Sequence, residues 1–124
     1  MAAIAQPLRV ALAQLNVTVG DIPGNTRKIV ASLEEARAQH AQLVVFPELA
    51  VNGYPPEDLL IKTHFLAAGR RALDEIAENV EDMVALVGFA EHAVDVYNSL
   101  AVIGDGRVQG IYRKMFLPNY GVFD

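Results

Sequence analysis

The four apolar residues Leu43-Val44-Val45-Phe46 stand between two stretches of helical periodicity and stop at Pro47. So short an apolar run, bounded by a proline, predicts a strand inside a sheet rather than a helix. Before it, from Thr26 to His40, Ile29, Val30, Leu33 and Ala36 recur at helical spacing, with Arg27, Lys28, Glu34, Glu35 and Arg37 mainly on the other face. After it, residues 57 to about 80 carry Leu59, Leu60, Phe65, Leu66, Leu73, Ile76 and Val80 on one helical side. Gly69 is expected to break or bend that helix, since glycine costs ~1 kcal/mol there relative to alanine.

The flanks complete the pattern. Residues 8–17, LRVALAQLNV, read as a strand apolar on both faces, and the turn-rich Gly20-Asp21-Ile22-Pro23-Gly24-Asn25 follows, with Asn25 expected as the helix N-cap. From Met83 the stretches MVALVGFAEH, YNSLAVIG and RVQGIYRKMF are strand-like, and Gly104-Asp105-Gly106 is a hairpin signal between the last two. Strand, helix, strand, helix and then several strands predict an α/β layered domain. The terminal LPNYGVFD follows a strand without a closing helix, so the 124 residues are expected to be part of a larger domain.

Composition removes several function classes. A net charge of -5 with scattered basic residues argues against nucleic acid or an anionic membrane surface as partner. No apolar run approaches the ~20 residues of a membrane span. The N-terminal MAAIAQPLRV lacks the charged start and apolar segment of a secretory signal. There are no cysteines, hence no disulfide and no thiolate metal site within these residues. A cytoplasmic location is expected.

VTVGDIPGN lacks both the Gly-x-Gly-x-x-Gly spacing and a Gly-Lys-Ser/Thr ending, which disfavours a phosphate loop. His40, His64 and His92 show no metal-ligand spacing, and His40 suits the end of a helix. Glu48 is sharper: a strand-end carboxylate among apolar residues either escapes to solvent or is held beside a cation. Lys114 sits at the end of another apolar strand, before a Pro-Asn turn. Strand ends are where ligand sites of α/β sheets gather, so the pair suggests one shared site. There a partly dry carboxylate would accept a proton, and the ammonium would stabilise a developing oxyanion. A nucleophile is missing, because spacing suggests no base for Ser99 or Thr63.

VVFPELAVNGYPPEDLL and YRKMFLPNYGVFD resemble two sequence blocks of the carbon–nitrogen hydrolase (nitrilase) superfamily. GYPPEDLL and LPNYGVFD resemble, more narrowly, the glutaminase domain of glutamine-dependent NAD synthetases, and LRVALAQLNVTVGDIPGNTRKI is similar to the first strand and helix of that family. The resemblance covers essentially the whole chain. It implies the N-terminal portion of an α-β-β-α sandwich and a Glu-Lys-Cys triad in which Glu48 is the general base and Lys114 stabilises the tetrahedral intermediate. Tyr120 would contact the glutamine substrate and Tyr54 would lie in the loop that shapes the pocket. The cysteine is expected well past residue 124.

The same resemblance implies that ammonia released from glutamine passes to a synthetase domain, absent here, that uses ATP with Mg to amidate deamido-NAD to NAD. Hydrolase domains of this kind usually pair through their outer layers, so a homo-oligomeric parent is expected. The isolated chain is expected to be inactive and to expose sheet edges and apolar surface. Two other readings share the residues: a stand-alone nitrilase-like amidase, and a non-catalytic binding or assembly module on the same fold.

Overall fold

The computed structural model describes residues 7–53 and 63–114. In chain order the elements are β1 (Val10–Leu12), α1 (Ile22–Ala38), β2 (Leu43–Val45), α2 (Thr63–Ala77), β3 (Val84–His92), β4 (Val96–Gly104) and β5 (Arg107–Arg113). They form one sheet of order β1-β2-β3-β4-β5, parallel through β3 and antiparallel after it. Both parallel crossovers step in the same direction along the sheet. Right-handed crossovers therefore put α1 and α2 on the same face.

Period-two alternation sorts the strands between that face and the other. Val44, Ala85, Val87, Phe89, Ala101 and Ile103 point to the helices and have no accessible surface. They join Ile29 and Leu33 of α1 and Leu73 and Ile76 of α2 in one core. Each valine, leucine, isoleucine or phenylalanine among them contributes roughly 1.5–3 kcal/mol by leaving water. No described element covers the opposite face, where Leu12 is 78%, Tyr112 67% and Val10 43% exposed. The expected apolar surface is therefore present, and helices on one side of a sheet match one half of an α-β-β-α sandwich.

Three expectations need correction. The first strand is three residues long instead of ten, because β1 is an edge strand whose partner β2 is itself only three residues long. The α1 N-cap is Asp21, whose Oδ1 accepts the Gly24 N–H at 3.0 Å, and Pro23 fits the first turn because it needs no donor there. Asn25, expected as the cap, lies inside the helix and is fully buried. Gly69 neither breaks nor ends α2, which runs through it to Ala77. It admits a neighbour instead: a Cβ there would lie 2.8 Å from Asn52 Nδ2.

The ends of α1 and β4 follow local chemistry closely. Past Gln39, His40 takes φ 62°, and the amides of His40 and Ala41 bond the carbonyls of Arg37 and Ala36. That pattern closes the helix with a left-handed residue. Between β4 and β5, Asp105 and Gly106 take φ of 52° and 76°, the paired positive values of a two-residue hairpin turn.

Candidate active site

The segment after β2 decides where Glu48 goes. Phe46 still bonds β3 through its amide to Leu86 O, and Val51 N reaches Gly88 O, so the intervening loop is pinned against β3 at both ends. Gly88 makes room for it: a Cβ there would sit 2.6 Å from Leu49 N and 2.7 Å from Pro47 O. Leu49 adopts φ 52°, a conformation that costs a non-glycine residue about 1–3 kcal/mol. Its side chain is fully buried against Leu66 and Ala90, which offsets a similar amount. The neighbouring Glu48 is thereby turned outward, toward the uncovered sheet face.

Two buried asparagines hold the loop from behind. Asn25 accepts Thr18 N–H at 2.8 Å and donates to Thr18 O and Val51 O, tying the loop after β1 to the loop after β2. Asn52 accepts the Ala90 amide at 2.8 Å and its carbonyl takes the Gly20 N–H. The Asn25 amide is bonded through both its groups. Asn52 is held through its Oδ1 and its backbone carbonyl, its Nδ2 having no partner among the described residues. Together these bonds favour one loop conformation.

Lys114 arrives from the far side of the sheet. Its Nζ stands 3.4 Å from Glu48 Oε1, and its backbone N–H donates to Asn98 O at 3.0 Å. Asn98 Nδ2 donates to the same Glu48 oxygen. The structure thus brings together the two residues the sequence pairs, from positions 66 apart. A cleft of about 400 Å³ opens beside them, lined by Glu48, Gly88, Asn98, Leu100, Tyr112 and Lys114. Both charged side chains are half-exposed, 47% for Glu48 and 44% for Lys114, so the pair is wetter among the described residues than a partly dry pocket requires. Tyr54 and Tyr120 lie outside the described residues.

On the helix face, behind Lys114, Arg113 grips Glu91 with two bonds of 2.7 and 3.1 Å, while Ser99 Oγ adds a third at 3.0 Å. The Arg113 guanidinium also lies 4.4 Å from the centroid of the Tyr97 ring. The arginine hydrogen bond, ahead of the opposing effect of burial, holds the Glu91 carboxyl below its ordinary value, and the same bond raises Arg113. This network fixes the end of β5, from which Lys114 extends. Sequence reasoning missed Asn25, Asn52 and Asn98 as site-building residues. The available signal was a polar amide inside otherwise apolar segments, AVNG and YNSLAVIG, where burial demands a partner.

With that geometry in view, comparison with known proteins is decisive. The carbon-nitrogen hydrolase family model matches residues 9–123. The chain belongs to the carbon-nitrogen hydrolase family. It is 47% identical over 119 residues to a glutamine-dependent NAD(+) synthetase of Thermotoga maritima and 48% identical over 119 residues to one of Aquifex aeolicus. Each match covers 94% of this chain and 21% of the relative. A solved glutamine-dependent NAD+ synthetase from Acinetobacter baumannii, in complex with adenosine diphosphate, superposes with a TM-score of 0.85 at 43% identity, over 94% of this chain and 22% of that one. The chain thus spans about a fifth of the length of these relatives, and its mixed sheet with two helices is the nitrilase-type fold of the family. No described helix is long and apolar enough to cross a membrane.

Proposed function

We propose that these residues form the N-terminal part of the glutaminase domain of a glutamine-dependent NAD synthetase. The observation that carries the reading is the meeting of Lys114 Nζ with Glu48 Oε1 at 3.4 Å, in a chain 47% identical to such an enzyme. In this reading a cysteine beyond residue 124 supplies the nucleophile, since the chain has none.

Glu48 takes the thiol proton, and the sulfur attacks the side-chain amide carbon of glutamine. Lys114 faces the negative charge that builds on the amide oxygen. As the tetrahedral species collapses, the carbon–nitrogen bond breaks and the proton held by Glu48 leaves with the nitrogen as ammonia. A glutamyl thioester remains. Glu48 then draws a proton from water, whose oxygen attacks the thioester carbon. Glutamate departs and the thiol is regenerated. Tyr54 and Tyr120 line the glutamine pocket in this scheme.

The ammonia serves a synthetase domain that uses ATP with Mg to convert deamido-NAD to NAD, within a cytoplasmic homo-oligomer. In this reading Mg and ATP belong to that other domain. No step above runs through them.

The test is glutamate release from glutamine. The 124-residue chain alone is expected to show none, and the protein carrying the downstream cysteine is expected to turn over. There, Glu48→Gln lowers glutamine-dependent NAD formation by roughly 10²–10⁴-fold, and added ammonium restores it. Turnover by the short chain, or glutamine use indifferent to Glu48→Gln, contradicts the reading.

A further inference from the structure

We propose that Asn98 is a positioning residue that sets the geometry of the Glu48–Lys114 pair, its side chain fixing the carboxylate and its backbone fixing the amine. The proposal rests on the glutaminase reading for its kinetic consequences, while its structural content stands on the contacts themselves.

Glu48 rides on an irregular turn with a half-exposed side chain, so by itself it can occupy several rotamers. Asn98 is the opposite kind of residue. It belongs to β4, is paired with Ala90 of β3, and is only 7% exposed. From that rigid position its Nδ2 donates to Glu48 Oε1, the oxygen that also faces Lys114 Nζ at 3.4 Å. Two donors on Oε1 leave the proton-accepting role to Oε2. The Asn98 carbonyl meanwhile accepts the Lys114 N–H at 3.0 Å and holds the strand end from which the ammonium extends. One strand residue therefore contacts both partners through different groups.

The residue type matters. An amide donates to a carboxylate without adding charge, whereas aspartate here would set a second negative charge against Glu48. Leucine would keep the volume and lose the donor. Although Asn98 also lines the cleft, its Nδ2 ends on the Glu48 carboxylate, so its effect on the reaction is expected to pass through Glu48.

The experiment uses the full-length protein and glutamine as substrate. Asn98→Leu is expected to lower kcat about 10²-fold with KM nearly unchanged, as loss of alignment at a reacting group does. In the Glu48→Gln background the same change is expected to cost nothing further, because the group it positions is gone. Wild-type kcat in Asn98→Leu, or a loss that multiplies with that of Glu48→Gln, overturns the proposal. Crystal structures of wild type and Asn98→Leu read it without turnover. The Glu48 carboxylate is expected to leave its place beside Lys114 Nζ in the variant, and an unmoved carboxylate overturns the proposal whatever the activity. Asn98→Ala, which loses the donor without adding charge, replaces Asn98→Leu if that variant does not fold, with the same expectations. A wild-type protein inert toward glutamine counts against the glutaminase reading alone, and the crystallographic comparison still decides the role of Asn98.

Discussion

The two faces of the sheet are built from the same strands and do different things. Toward the helices, Val87, Phe89, Ala101 and Ile103 are sealed from solvent. On the other side, Leu12 and Tyr112 stand in the open, and the charged pair Glu48–Lys114 closes one end of the surface. Apolar content fails to distinguish them, since Leu43, Leu86, Leu100 and Val102 also belong to the uncovered face by register. What differs is cover. Among the described residues stability comes from the helix side, and reactive groups gather where the sheet is bare, held by loops and amides.

That division can be broken by substitution. Phe89→Ala, on the covered face, is expected to cost about 3–5 kcal/mol in denaturant unfolding of the chain, through lost burial and the cavity left behind. Gly88→Val reaches across the division. Its side chain would collide with the backbone of Pro47 and Leu49, and a cost of roughly 1–3 kcal/mol should come with loss of glutamine turnover in the full-length protein, because the Glu48 loop is displaced.

Acid sensitivity sharpens the contrast further. Arg113 holds the folded Glu91 carboxyl below its ordinary 4.5, so this contribution is complete above that value and fades as pH falls through 4.5 toward the depressed folded value. Glu91→Gln should flatten the acid limb of a stability–pH curve. The smallest effect belongs to the bare face, where Leu12→Gln should change the stability of the 124-residue chain by no more than about 0.5 kcal/mol while reducing self-association on a sizing column.

Much of this was legible from periodicity. The helical spacing of Ile29, Leu33 and Ala36, the short run at Leu43, and Asp105-Gly106 all appear as read, because local pattern and burial agree there. The errors sit where tertiary contact outweighs local preference. Ten apolar-rich residues yielded a three-residue β1 because strand length needs a partner of equal length. Asn25 looked like a cap and became a buried tie between loops, a role that depends on Val51, 26 positions away. Gly69 looked like a breaker and proved to be clearance for Asn52. Glu48 and Lys114 are legible as a pair, two opposite charges at strand ends beside turns, and the family resemblance supplies their roles. Asn98 was passed over because one amide in a strand carries no charge to draw attention, and only the register places it beside Glu48.

The central claim is that Glu48 and Lys114 serve one reacting centre at the end of the bare face. A kinetic cycle of Glu48→Gln, Lys114→Met and the double variant in the full-length protein tests it most directly. Each single change is expected to lower kcat for glutamate release by roughly 10²–10⁴-fold, with the double variant no worse than the poorer single. Losses that multiply, or a single variant that turns over glutamine like wild type, would show that the two side chains meet without working together.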